Sequence, residues 1–361
     1  MRYRELGKTG IKVSEIGFGT IPILSGHVPV LPQYFSPDTN TAIKILQMAY
    51  DYGCNLYDTA IPEEYGDAEY KLGCFIKEID RSKIIISDKA RFYDWTHLYD
   101  AVYKSAENLG TTPDIYFVHQ VEPKNINEVF GENGALDVLT KLKKEGVIRY
   151  AGIATHYYDI MYKAALDERV DVIQGSGNIM ERGMLERISF EEVFKNKGLI
   201  LNKVYAAGLL NDLFSTAELI GGILKYPFSS ALIGLGTFEQ VKAAMEKEYF
   251  AVDYSFEEVM ERITENKKAA PVACDRCQKC VCPKGYEIHT IIRQYNYYTL
   301  GKEYWALKKM NLNIDELYKV CSRCYGRECM NNCAQKLDIY DIVEKMYTLV
   351  KDYYIINGEG Q

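Results

Sequence analysis

Between residues 12 and 247 the chain repeats one rhythm: a short β-rich run, then a helical stretch, then a loop. The runs fall at 15–19, 54–58, 83–87, 114–119, 149–154, 170–175, 198–204 and 229–234. Several are almost wholly apolar, as parallel strands covered on both faces must be. Between them lie amphipathic segments such as 41–52 (TAIKILQMAYDY) and 98–109. Eight β-then-α units over this length match a closed (β/α)8 TIM barrel. A doubly wound open sheet is the competing arrangement, and against it no G-x-G-x-x-G follows the first run.

At 361 residues the chain has room for more than one domain, since one domain takes roughly 150 residues. Its 47% apolar and 26% charged residues exclude wholesale disorder. A net charge of -7 argues against a nucleic-acid surface, which needs a basic stripe. No window approaches the ~18 consecutive apolar residues of a membrane span. The opening MRYRELGKTG carries charges with no apolar run behind them, so a cytoplasmic location is expected. The expected organisation is a barrel over 1–254, a charged linker helix over 255–271 and a small helical domain over 272–361.

In a barrel of this kind chemistry sits at the C-terminal ends of the strands. The second run ends in Asp58, the third leads into Asp88 and Lys89, and the fourth ends in His119. The fifth ends in Thr155 and His156, the sixth in Gln174 and Asn178, and the loop after the second carries Tyr65. An Asp, a Tyr, a Lys and a His at one mouth can perform general acid chemistry. The ammonium would stabilise tyrosinate and lower the tyrosine pKa, the Asp would hold the Lys charged, and the His would donate to a carbonyl oxygen. Singly, a strand-end Asp is as readily a helix cap and a lone His a structural group. Their placement on consecutive strand ends favours function. The long, Pro- and aromatic-rich segment 20–40 could roof the pocket or simply pack on the surface, and Phe92, Tyr93 and Trp95 could form a substrate wall or do the same.

Several long motifs resemble the aldo-keto reductases: MRYRELGKTGIKVSEIGFGT, NLYDTA followed by YGDAEYKLG, KSAENLGTTPDIYFVHQ and KKEGVIRYAGIATH. The resemblance covers about residues 1–250 and implies a (β/α)8 barrel that reduces carbonyls with a nicotinamide cofactor. It implies a catalytic tetrad of Asp58, Tyr65, Lys89 and His119, with Tyr65 as general acid. It also implies cofactor contacts from Thr20, Thr155, Gln174, Lys203, Gly236, Thr237 and Gln240. There are departures. The stretch DTAIPEEYG holds two residues more between Asp and Tyr than the family's usual spacing. Ala154-Thr155 replaces the Ser-Asn that holds the nicotinamide amide, and Asn202 replaces the stacking tyrosine. Gly234, Gln240 and Ala244 replace the Lys, Arg and Asn that grip the 2′-phosphate of NADP(H). The cofactor is therefore NADP(H) or NAD(H), weakly specified.

Of ten cysteines, eight fall between 274 and 333, on a chain without an export signal, which points to metal rather than disulfides. The groups are Cys274, Cys277, Cys280, Cys282, with Pro283 following, and Cys321, Cys324, Cys329, Cys333. They approximate the two-cluster ferredoxin run, in which the fourth Cys of each group ligates the other cluster. The first group is two residues shorter than that run and the second two longer. By the crossed pattern Cys274, Cys277, Cys280 and Cys333 would hold one [4Fe–4S] cluster, and Cys321, Cys324, Cys329 and Cys282 the other. The segment between resembles the all-α ferredoxin-like domain that ends some aldo-keto reductase relatives. Two structural four-thiolate zinc sites are the alternative, although zinc favours paired C-x2-C knuckles over a triplet.

The combined expectation is an iron–sulfur oxidoreductase acting on a small carbonyl or alcohol substrate, with electrons exchanged with a redox protein partner. Two other readings stand beside it: clusters that only staple the tail, and a redox-sensing or regulatory binding module with little turnover.

Overall fold

The computed structural model describes residues 1–361 except 27–34, 181, 209, 247–248, 267–271, 273, 275–278, 300–313, 334–335 and 358–361. The chain divides into two compact units, Met1–Tyr254 and Ser255–Gln361.

The first unit opens with an antiparallel hairpin, β1 (Tyr3–Glu5) and β2 (Lys12–Ser14). Eight parallel strands follow: β3 (Ile16–Gly19), β4 (Leu56–Asp58), β5 (Ile85–Ala90), β6 (Ile115–Val118), β7 (Tyr150–Ala154), β8 (Val172–Ser176), β9 (Gly198–Asn202) and β10 (Ser230–Gly234). They close into one barrel in chain order, β10 pairing with β3. The closed sheet excludes the open-sheet alternative. The hairpin supplies Leu6, Ile11 and Val13 to a core with Leu56, Phe117 and Ile200, sealing the end away from the strand C-termini. Packing there is tight: a Cβ on Gly152 of β7 would lie 2.4 Å from the Phe117 ring.

Local chemistry sets the helix starts. α1 (Thr39–Asp51) is capped by Asp38, whose Oδ1 accepts from Thr41 N at 2.9 Å. α2 (Pro62–Tyr65) is a single turn begun by proline, and α3 (Ala68–Ile76) follows it. α4 (Trp95–Leu109) is capped by Asp94 and ends on left-handed Gly110.

One correction concerns the elements. The third barrel strand lies two residues beyond the expected start and runs on to Ala90, so Asp88 and Lys89 are buried within it rather than following it. Alternation of apolar residues cannot register polar residues whose partners come from other strands. Lys71 on α3 is also fully buried, against the usual expectation for lysine. Its Nζ donates to Ile23 O and Pro37 O, both at 2.8 Å, and to Ser25 Oγ at 3.0 Å. One ammonium thus ties down both ends of the long 20–40 segment.

In the second unit the described residues form helices Phe256–Asn266, Ile288–Thr299, Ile314–Ser322, Glu328–Asn331 and Ile339–Asn357. The expected linker helix falls in this unit, its last stretch lying outside the described residues. Ile291, Ile292, Leu317, Ile342, Val343 and Met346 form an apolar core, with Cys274, Cys280, Cys282, Cys321 and Cys329 packed against it. Among the described residues no helix is long and apolar enough to cross a membrane.

Candidate active site

Asp58 ends β4 and is buried. Its Oδ2 meets Lys89 Nζ of β5 at 2.5 Å, while Oδ1 accepts from Ser87 Oγ at 2.7 Å and from Gln174 Nε2 at 2.8 Å. Lys89, 1% exposed, also donates to Thr59 O at 2.7 Å. A buried ion pair is tolerated only when its remaining hydrogen-bonding capacity is met, as here. Desolvation acts to lower the Lys89 pKa, but the carboxylate and nearby groups outweigh it and the net shift is upward.

The two extra residues before Tyr65 are absorbed by helix formation. Pro62–Tyr65 winds into α2, in which Tyr65 N donates to Ile61 O at 3.0 Å, and Gly66 leaves the turn at φ +58°. This swings Tyr65 back over the ion pair: Lys89 Nζ lies 5.0 Å from the tyrosine ring centroid. His119 follows β6, its backbone N donating to Ala90 O at 2.8 Å. Its ring stands at 89° to that of Tyr65, centroids 6.3 Å apart. Asp58, Tyr65, Lys89 and His119 are thus gathered at one barrel mouth. The expected lowering of the tyrosine pKa is not the net result. Burial is the largest effect and raises it, with Asp58 and Glu64 adding to the rise and Lys89 opposing.

The expected cofactor residues lie around the same rim. Thr20 donates its backbone N–H to Asp58 O at 3.0 Å and keeps a buried Oγ1 with no hydrogen-bond partner among the described residues. Gln174 faces the tetrad through Asp58, and Asn202 Nδ2 reaches Gln174 Oε1 at 3.5 Å while Asn202 Oδ1 is buried without a donor among the described residues. These orphaned polar atoms at the strand ends suit an amide-bearing ring. Thr155 is turned away from such a role: its hydroxyl donates to Val121 O at 2.7 Å and accepts from Tyr157 N. Lys203, at φ +57°, meets His156 Nε2 at 3.0 Å.

The shelf beyond β10 fits less well. Gly236 N donates to Gln240 Oε1 at 2.8 Å, and Thr237 Oγ1 accepts from Gln240 N at 3.2 Å to cap the helix Phe238–Met245. Phe35 covers this turn, 2.6 Å from where a Cβ on Gly236 would stand. The Gly236 amide expected to meet a pyrophosphate is therefore engaged by Gln240, and the turn is roofed by an aromatic ring.

Two groups, Glu64 and Glu69, were not singled out from sequence. Glu64, inside the two-residue insertion, pairs with Arg91 Nε at 2.7 Å and lies 3.4 Å from His119 Nδ1. Glu69 and Asp88 form a buried carboxyl pair behind Lys89. Within YGDAEYKLG and a strand end they read only as motif letters, and their contacts are made by the fold.

Among the described residues no group of three or more His, Cys, Asp or Glu side chains has metal-holding geometry, and Cys277 lies outside those residues. The expected iron–sulfur sites are therefore not seen as formed ligand sets. Two of the thiols are nevertheless perturbed: burial pushes Cys321 up to about 11, with Cys282, Cys329 and Cys324 adding to the rise. Cys329 is raised by burial and by Cys282 and Cys324.

The profile of the aldo/keto reductase family matches residues 15–218. The chain is 29% identical over 226 residues to the L-galactose dehydrogenase of Arabidopsis thaliana, covering 58% of this chain and 67% of that one. It is 29% identical over 166 residues to an aldo-keto reductase of Gibberella moniliformis, covering 43% of this chain and 46% of the other, so only about half of that relative's length is matched. Among solved structures, the holo form of an aldo-keto reductase from Bacillus halodurans superposes with a TM-score of 0.58 at 21% identity, over 76% of this chain and 99% of that one. That likeness establishes the barrel fold.

Proposed function

Because the chain belongs to the aldo/keto reductase family, we propose that it is an oxidoreductase interconverting a small carbonyl compound and its alcohol, with a nicotinamide cofactor. The observation that carries this reading is the gathering of Tyr65, Lys89, Asp58 and His119 at one barrel mouth. When bound, a nicotinamide supplies hydride to the carbonyl carbon. Tyr65 gives its phenolic proton to the carbonyl oxygen and is reprotonated from solvent. Lys89, held charged by Asp58, stabilises the transient tyrosinate, while His119 orients the substrate oxygen. Thr20, Gln174 and Asn202 would hold the ring end of the cofactor. The test is oxidation of NADH and NADPH with a panel of aldehydes and ketones. Tyr65→Phe is expected to lower turnover by roughly 10²–10⁴-fold, the worth of a positioned general acid. Turnover retained in that variant refutes the role of Tyr65.

We further propose that the second unit carries two [4Fe–4S] clusters, with Cys282, Cys321, Cys324 and Cys329 on one and Cys274, Cys277, Cys280 and Cys333 on the other. Support comes from the rise of Cys321 and Cys329 beside Cys282 and Cys324, and from the packing of Cys282, Cys321 and Cys329 against an apolar core. Clusters there would supply one-electron transfer to or from a redox protein, in the reducing cytoplasm where free thiols persist. A broad absorbance near about 400 nm, bleached by dithionite, together with an iron and sulfide count, tests this against zinc.

The roofing of Gly236 by Phe35 favours a second reading, a binding module with little turnover. Absence of activity with every carbonyl tried, alongside measurable nicotinamide binding, would select it.

A further inference from the structure

His119 is held from one side by a carboxylate. Glu64 Oε2 stands 3.4 Å from His119 Nδ1, outside linear hydrogen-bond geometry but at ion-pair distance, and Glu64 Oε1 meets Arg91 Nε at 2.7 Å. The side chains of Glu64 and His119 are 12% and 13% exposed, so this contact is poorly screened. Glu64 comes from α2, the turn built by the insertion, and sits one residue before Tyr65. One short helical turn therefore carries both the proton donor and the partner of the histidine. Resting on the oxidoreductase reading, we propose that Glu64 is a positioning residue: it fixes the Nδ1–H tautomer of His119, so that Nε2 meets the substrate oxygen.

The consequence follows from imidazole chemistry. With Nδ1–H turned to a carboxylate, the neutral ring offers only a lone pair at Nε2. That lone pair accepts from an alcohol hydroxyl and cannot donate to a carbonyl oxygen. Donation to a carbonyl requires the imidazolium. Glu64 thus couples the protonation of His119 to turnover: with Tyr65 as the proton donor, the protonated ring holds the carbonyl oxygen in reduction, and by microscopic reversibility the same ionisation serves the reverse transfer.

The charged groups around the ring set where this change occurs. Burial is the largest effect and lowers the His119 pKa, and Lys89 on β5 and Arg91 just after it lower it further. Glu64 on α2 is the group raising it. Arg91 also helps keep the Glu64 carboxylate ionised, against its own desolvation. Removing the Glu64 charge must therefore shift His119 downward and extinguish reduction at a lower pH.

The deciding measurement is long-range proton–nitrogen NMR of the full chain labelled with 15N-histidine. With five histidines, His119 is assigned by its absence in His119→Gln. The expected result is a neutral His119 protonated on Nδ1. In Glu64→Gln the midpoint should fall by roughly one unit, as loss of an adjacent opposite charge dictates, and the tautomer should no longer be fixed. Glu64→Asp should recover part of both effects. A neutral wild-type ring protonated on Nε2 overturns the proposal, as does a Glu64→Gln variant with unchanged midpoint and tautomer. In parallel, the pH profiles of 4-nitrobenzaldehyde reduction with NADH and 4-nitrobenzyl alcohol oxidation with NAD+ should move to lower pH together in Glu64→Gln. Profiles that stay in place overturn the coupling of His119 protonation to turnover. A wild type silent towards every carbonyl refutes the oxidoreductase reading instead, and the NMR result still decides how Glu64 holds the ring.

Discussion

Gln174 of β8 donates through Nε2 to Asp58 Oδ1 of β4 at 2.8 Å, across the barrel mouth. With Ser87 on the same oxygen and Lys89 on the other, the Asp58 carboxylate receives three donors and is fixed in one orientation. The residue expected to face the cofactor therefore also positions the carboxylate that holds Lys89. Gln174→Leu should remove one hydrogen bond to a buried charge, costing roughly 1.5–3 kcal/mol of stability. Urea unfolding of the first unit's transition reads this directly. A loss no larger than that of an exposed substitution would mean that Ser87 and Lys89 suffice to hold Asp58.

The carboxyl pair behind Lys89 makes a prediction about pH. Asp88 and Glu69 are fully buried, and Asp88 Oδ2 and Glu69 Oε1 receive no hydrogen bond from any other described residue. Asp88 Oδ1 accepts from Lys89 N at 2.7 Å. Burial first, then Glu69, raises the Asp88 carboxyl well above its usual range. The folded state thus binds a proton that the unfolded chain releases at lower pH. Stability from this site is retained at acid pH and lost as pH rises from the ordinary carboxylate range towards the raised folded value. Asp88→Asn, which supplies a permanent donor to Glu69, should raise the melting temperature by a few degrees at pH 8 and change it less at pH 5. An equal effect at both pH values would show that the pair does not share a proton.

How much of this was legible in the sequence depends on where each contact closes. The barrel was readable because eight apolar runs at regular spacing have few other ways to be buried. Tyr65 and Lys89 were readable as residue types at strand ends. The geometry of α2 was not, because Pro-Glu-Glu-Tyr forms a helical turn only when Ile61 and Lys89 fix its base; Ile61 N donates to Lys89 O at 3.2 Å. The net rise in the Tyr65 pKa was misjudged because a neighbouring charge shows in a motif whereas desolvation does not. The role of Lys71 was not legible, since its acceptors Ile23 O and Pro37 O are backbone atoms that no side-chain pattern announces.

The β10 rim predicts how the two nicotinamide cofactors compare. Gln240 spends its side-chain oxygen on Gly236 N, and the nearby Lys242 is a largely exposed side chain 3.9 Å from Glu246. No arginine replaces the phosphate grip at these positions, and such a charge-assisted contact is worth about 1.5–3 kcal/mol. NADH and NADPH should therefore bind weakly and within roughly tenfold of each other. Phe35→Ala, by uncovering the Gly236 turn, should tighten both. Fluorescence titration at two salt concentrations measures this. An NADPH preference above roughly a hundredfold, strongly reduced by salt, would reveal a phosphate site built from cations elsewhere, such as Lys203.

The last prediction concerns which thiols share a cluster. Cys321 and Cys329 are each raised by Cys282, a residue of the first cysteine group, and Cys333 is not among the groups that raise them. Cys333 is 8% exposed, and its Sγ accepts from Leu337 N at 3.4 Å. Cys282 thus lies close enough to Cys321 and Cys329 to influence both, as the crossed arrangement requires. Cys282→Ser should therefore damage the same cluster as Cys324→Ser, and Cys333→Ser the same cluster as Cys277→Ser. Electron paramagnetic resonance of the dithionite-reduced variants, with iron counted per chain, separates the two pairs, because each single replacement leaves one cluster signal intact. If Cys333→Ser and Cys324→Ser instead abolish the same signal, each group closes its own cluster and the crossed arrangement is wrong. If none of the variants changes the iron content, the thiols bind no iron and the zinc alternative is tested next by zinc content of the same preparations.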